Sequence, residues 1–331
     1  MKKLVITLAV ALIIATTGCG DSKSPIVTYV ARSNSDGAPH LFTLNEATKT
    51  PTEVSISIPT DAYYVASNSD ATAVTYCRDG DSGYDIFLMG TDGVEHELTT
   101  GADACESVFS PDGKTIAFVS YQNSGYLVYT MNLDGSNQQP VYSADSSTWL
   151  FYPEYSPDGK SLVFYVETGN GPSGLHRGPV EKSSWIKQGS RSKTSVHANT
   201  ASGITSSGWY TMALTDSAPT LVYATNEIWG PAVFSGDGTK LLFTQYDGTT
   251  DNIFSVNLDG TGVTPLTAST DSNTYNFSPV PYKNLILFNQ NNQTSSSWDI
   301  YVMDQTGANQ QLIHSTADTS ETLLDSYWSG D

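Results

Sequence analysis

Basic residues are scarce in this chain: 15 Lys and Arg stand against 34 Asp and Glu, a formal charge of −19. Such a surface repels polyanions, and the counterion release that drives nucleic-acid binding needs cationic side chains that are in short supply here. Nucleic acid is therefore not expected as a partner; a cationic protein or peptide, or divalent ions, fit the charge. Sustained helical stripes of apolar residues are also missing, and apolar positions instead alternate in short runs. Cysteine is limited to Cys19, Cys77 and Cys105, and histidine to His40, His96, His176, His197 and His314. No Gly-x-Ser-x-Gly elbow occurs, which argues against a serine-hydrolase domain.

What is abundant is punctuation. The 27 Gly and 15 Pro break the apolar runs into short strands and tight turns. A length of 331 residues suits one all-β domain. The strongest signal is an internal repeat. Val108-Phe109-Ser110-Pro111-Asp112-Gly113-Lys114 recurs as Glu154-Tyr155-Ser156-Pro157-Asp158-Gly159-Lys160 and as Val233-Phe234-Ser235-Gly236-Asp237-Gly238-Thr239. Weaker copies fall at Asn68-Ser69-Asp70-Ala71 and at Phe277-Ser278-Pro279. Pro presets φ in such a turn, Asp bonds local amides and Gly tolerates the exit geometry, so the aspartates read as turn formers rather than catalysts. Each copy is followed by a strand such as Asp85-Ile86-Phe87 or Asn252-Ile253-Phe254, and then by a short outer strand. Four strands per unit of about 40–45 residues make a propeller blade.

These units resemble the WD-like repeats of the TolB-like β-propeller family, over nearly all of the chain beyond Cys19. The resemblance implies a six-bladed propeller. Seven blades are the alternative, because Asp158 and Asp237 lie nearly twice the usual interval apart. Six is preferred, since Trp209-Tyr210-Thr211-Met212 matches the third strand Val128-Tyr129-Thr130-Met131, leaving about residues 169–206 as an insertion in the fourth blade. The final residues from Leu323 read as an inner strand that completes the first blade and closes the ring. Family members carry an α/β domain before the propeller. Here the strand pattern starts at Ile26, so that domain is not expected, and the family's contact with a peptidoglycan-associated lipoprotein is not carried over.

Residues 1–18 read as an export signal: Lys2 and Lys3 precede the apolar run Leu4 to Ala15, too short to span a bilayer. Thr16-Thr17-Gly18-Cys19 resembles the lipobox of bacterial lipoproteins, which implies cleavage before Cys19, its acylation and a short tether over 19–25. Thr16 departs from the usual Leu, and an ordinary secretory signal is the alternative. Gly20 implies the periplasmic side of an outer membrane, with membrane contact through the lipid alone. In that oxidising setting Cys77 and Cys105 are either bonded or two buried thiols.

Propeller topology places the insertion. Loops joining strands two to three, and four to the next blade's strand one, share one end of the ring, while the Ser-Pro-Asp-Gly turns line the other. The insertion carries Arg177, Lys182, Lys187, Arg191 and Lys193 against Glu181 alone. It is either a functionless excursion or part of a site. Its end of the ring, here called the loop end, also gathers Tyr63, Tyr64, Glu106, Trp149, Tyr152, Glu154, Trp229, Tyr275 and Asp325. An acidic, aromatic mouth beside a basic loop is the candidate binding face. No cofactor and no metal site is expected, since no histidine falls on an inner strand and the segment Asp79 to Asp85 fails the EF-hand pattern at Tyr84 and Gly90. The expected role is a monomeric module of the cell envelope that binds a protein or peptide. A saccharide lyase or hydrolase using channel carboxylates is the alternative.

Overall fold

The structure is a computed structural model that describes residues 26–33, 38–45, 51–80, 83–122, 125–145, 147–168, 206–226, 230–282, 284–295, 297–315 and 321–324. Among the described residues, twenty-four strands form six antiparallel sheets of four, the blades of a propeller. Blade 2 is typical: Tyr63–Ser67 innermost, then Ala73–Asp79, Tyr84–Gly90 and Glu95–Glu97. Blade 4 runs Thr148–Tyr155, Ser161–Thr168, Gly208–Ala213 and Thr220–Ala224, so the insertion separates its second and third strands. Blade 1 takes its inner strand from Glu321–Leu324, which pairs with Ile26–Ser33, and the chain thereby closes on itself.

The repeat explains the packing. Each second strand carries an aromatic at its centre, and most of these rings stack on the neighbouring third strand, as Tyr76 on Phe87 and Phe288 on Tyr301. Side chains alternate across the pleat, so each blade presents apolar groups to both neighbours. The result is a set of six interblade cores. Ile86 and Leu98 of blade 2 meet Ile116 and Phe118 of blade 3, for example. Leu287 and Ile300 of blade 6 meet Tyr29 and Ala31 of blade 1, which completes the ring.

The turns do what their composition dictates. Ser110 Oγ donates to Asp112 Oδ1 at 2.7 Å and accepts from the N–H of Thr115 at 3.0 Å, while Gly113 holds φ 66°. Ser156 and Ser235 repeat the pattern, and Asn68 Oδ1 substitutes for the serine hydroxyl in blade 2 by accepting from Ala73 N. Ser156→Ala is expected to cost about 1 kcal/mol, because Asp158 and Ser161 N both lose a partner. Urea unfolding of the single variant measures it.

One predicted turn is corrected. Phe277-Ser278-Pro279 is not a hairpin turn but a bulge within the strand Thr274–Tyr282, and the chain turns only between Tyr282 and Leu285. Ser278 takes φ 50° there, and Pro279 occupies a place where the ladder is interrupted and no N–H is needed.

Candidate functional site

That bulge recurs. The inner strands of blades 2, 3, 4 and 6 all shift register at the same place, and at each shift one non-glycine residue is left-handed: Tyr64 (φ 49°), Glu106 (φ 55°), Tyr152 (φ 54°) and Ser278 (φ 50°). Such a backbone costs about 1–3 kcal/mol per residue and persists where the surroundings hold it. Here the holding groups come from adjacent blades. Glu106 Oε2 of blade 3 accepts from Tyr152 N of blade 4 at 2.5 Å, and Thr244 Oγ1 of blade 5 accepts from Ser278 N of blade 6 at 3.2 Å. A disulfide joins Cys77 of blade 2 to Cys105, the residue before Glu106, with their Cα atoms 5.3 Å apart.

Glu106 is buried, and loss of hydration pushes its carboxyl up to about 8, with the Tyr152 N–H bond acting in the opposite direction. The sequence-predicted aromatics of blades 2 to 4 take different places. Tyr63 pairs with Cys77 across its strand and meets the Tyr84 ring edge-on at 6.2 Å. Tyr64 and Trp149 both pack, half-buried, against the cluster shared by blades 4 and 5. Tyr152 lies inside that cluster, so its ring fills space between blades. Glu154 is half-buried further along the same inner strand, and Tyr275 stands at the same end of blade 6. Trp229, Asp325, Cys19 and the basic residues Arg177, Lys182, Lys187, Arg191 and Lys193 lie outside the described residues.

Carboxylates stand at both ends of the ring, and at the turn end Asp92, Asp112, Asp134, Asp158, Asp237, Asp259 and Asp304 bond the amides and hydroxyls of their own turns. Lys114, Lys160 and Lys240 all stand in or beside the Ser-x-Asp-Gly turns, where Lys114 and Lys160 lie 3.4 and 3.8 Å from Asp112 and Asp158. Arg78 is held by Glu95 at 2.7 Å and lies 4.3 Å from the Phe87 ring centre. At the loop end, Asp79, Asp103, Asp145, Glu167, Asp247 and Asp271 stand at or beside the ends of strands of five different blades. Thr168 and Gly208, which flank the insertion, are on that side too.

Sequence reasoning missed a second repeated device. Asp85, first in the Asp-Ile-Phe strand, is buried; its carboxylate accepts from Thr99 Oγ1 at 3.0 Å, Gly101 N at 2.9 Å and Ala102 N at 3.2 Å. Asn252 does the same in blade 5, accepting from Thr267 Oγ1 and Ser269 N, and Asp299 accepts from Ser315 Oγ in blade 6. These groups clamp the connection to the next blade. Asp85→Asn keeps an oxygen for Thr99 and Ala102 but sets its NH2 against Gly101 N and should cost about 1 kcal/mol, whereas Asp85→Leu strands both amides and should cost about 2–3 kcal/mol, the usual penalty for unmade buried bonds. Thermal unfolding of the two variants separates these outcomes.

Metal chemistry finds no donor set among the described residues, where no three His, Cys, Asp or Glu converge. His40, His96 and His314 stand on third and outer strands.

By sequence, neither a family model nor a curated protein matches the chain. By structure, it is similar to TolB from Acinetobacter baumannii (TM-score 0.58, 18% identity), over 89% of this chain and 64% of that one. It thus spans less than two thirds of that protein's length. A putative TolB from Agrobacterium tumefaciens aligns with TM-score 0.58 and 15% identity, over 88% of this chain and 96% of that one. An oligogalacturonate lyase from Vibrio parahaemolyticus aligns with TM-score 0.55 and 12% identity, over 88% and 72% of the two chains. The fold of this chain is the six-bladed β-propeller found in TolB.

Proposed function

We propose that the chain is a binding module of the bacterial cell envelope, exported, lipid-anchored through Cys19, and engaging a protein or peptide at the loop end. The observation that carries this reading is the company of carboxylates and half-buried aromatics at the loop end. Every lysine whose side chain is described stands at the turn end, while the loop end offers carboxylates beside Tyr63, Tyr64 and Trp149. Such a surface favours a cationic partner, steering encounter through charge and holding it through aromatic contact. The basic insertion is rooted in the same end and belongs to the same interface. Capture from envelope extracts with the full chain and with a chain lacking residues 169–206 tests the loop's part. Loss of one or more partners on deletion supports it; an identical set contradicts it.

A second reading has one observation in its favour: a buried carboxylic acid that keeps its proton near neutral pH, as Glu106 does, is what a general acid requires. The fold likeness to an oligogalacturonate lyase is compatible with a saccharide substrate. Cleavage of any polysaccharide in a screen, abolished by Glu106→Gln, supports catalysis. Absence of turnover by the wild-type chain, with and without divalent metal, rules it out.

A further inference from the structure

An open cleft of about 660 Å³ lies at the seam between blades 2 and 3, bounded by the connection 98–102, Tyr121, Gln122 and Gln138. Among the described residues no charged side chain lines it. The connection turns its donors away: Gly101 N and Ala102 N point to Asp85, at 2.9 and 3.2 Å. Within the described residues no hydrogen bond reaches the carbonyls of Thr99, Thr100 or Gly101. The nitrogen of the Gln138 amide is engaged by Leu98 O and Gly135 O, both at 3.1 Å, which leaves its oxygen to accept. The cleft therefore presents mainly acceptors.

Beside these acceptors stands Tyr121. It is 44% exposed, among the few large apolar or aromatic side chains so open to water. It is also fixed, its ring centre 5.0 Å from that of Tyr126, which in turn lies 5.9 Å from Phe151. A ring that is both braced and bare is a platform for a ligand with an apolar face. The acceptors ask that ligand for hydroxyl or amide donors. The carboxylates bonded to the lining are already engaged, Asp85 by Thr99, Gly101 and Ala102 and Glu97 by Thr100 Oγ1, so the cleft favours an uncharged ligand. A sugar ring meets all three demands: its C–H face stacks on an aromatic, its hydroxyls donate and it carries no charge.

We propose that this cleft binds a neutral oligosaccharide, one sugar stacked on Tyr121 and its hydroxyls donating to Gln138 Oε1 and the carbonyls of residues 99–101. The site lies at the loop end, at the seam between blades 2 and 3, does not include Glu106 and involves no bond cleavage. Calorimetric titration of the full chain with hexaoses of mannose, xylose, glucose and N-acetylglucosamine, and with a lysine-only peptide, tests it. At least one hexaose should bind with a millimolar Kd or tighter. Tyr121→Ala should weaken it by about tenfold or more, the factor expected for losing one aromatic stack with its covered area. Tyr121→Phe, which keeps the ring, should retain binding, and Gln138→Leu should reduce it. An unchanged unfolding temperature for Tyr121→Ala assigns the loss to the contact. Failure of every hexaose to bind, or binding indifferent to Tyr121→Ala, overturns the proposal. So does binding of the lysine peptide alone with loss in Tyr121→Ala, which would make the cleft a cation site.

Discussion

Replacing Cys77 and Cys105 together by alanine will lower the stability of the propeller by about 3–4 kcal/mol, the loop-closure value for a bridge spanning 28 residues. The bond does more than close that loop. It joins the second strand of blade 2 to the inner strand of blade 3, next to a left-handed residue that the backbone would otherwise leave. Cys77 is fully buried, so alanine there also removes packed volume, and the loss is set at the upper part of the range. Denaturant unfolding with and without reductant separates the two contributions. Reductant should destabilise the wild-type chain and leave the double variant unaffected. A wild-type chain whose midpoint ignores reductant would show that the bridge contributes nothing.

Glu106 makes stability fall as pH rises. In the unfolded chain its carboxyl ionises near 4.5, whereas in the propeller it holds its proton to about 8. Between those values the unfolded state releases a proton that the folded state keeps, and each pH unit then favours unfolding by about 1.4 kcal/mol. The cumulative loss by pH 8 is several kcal/mol in order of magnitude. Above pH 8 both states are ionised and the decline ends. Aspartates of the turns act in the opposite sense. Asp112, Asp158 and Asp237 are held below the usual carboxylate range by serine hydroxyls and following N–H groups, so their contribution is present at neutral pH and lost as pH falls through their titration. Stability is thus expected to peak in mildly acid solution. Glu106→Gln keeps an oxygen for Tyr152 N but has no proton to lose. Its stability should match wild type near pH 4 and exceed it at pH 8. Identical pH profiles for the two chains would contradict a buried, protonated Glu106.

The blades were legible because turn chemistry and alternation are local. Ser, Pro, Asp and Gly at fixed offsets define a hairpin by themselves, and an aromatic at the centre of each second strand announces a doubly covered sheet. Blade count and ring closure followed from matching Trp209–Met212 to Val128–Met131 and from the strand-like end of the chain. The bulges were not legible, since none of their left-handed residues, Tyr64, Glu106, Tyr152 and Ser278, is a glycine or asparagine that would announce that backbone. Ser278-Pro279 misled for that reason, offering a turn-like dipeptide at a bulge. The Asp85, Asn252 and Asp299 clamp was visible as an aligned column, but its meaning depends on the fourth-strand hydroxyls that fold back onto it. Of the predicted binding face, Tyr64 and Trp149 pack on the cluster that contains the buried ring of Tyr152, while Tyr63 packs on Tyr84. Alternation along a strand gives an inner-strand residue its end of the ring, but a bulge resets which side its side chain faces.

The proposed division of labour between the two ends of the ring meets its most direct test in photo-cross-linking in the native cell. A photoreactive side chain is placed at Tyr63, at Trp149 or, in a third variant, at Asp158 of the turn end. Expected are adducts to a discrete partner from Tyr63 and Trp149 and none from Asp158. Adducts from Asp158 alone would put the interface on the Ser-Pro-Asp-Gly face and contradict the assignment of function to the loop end.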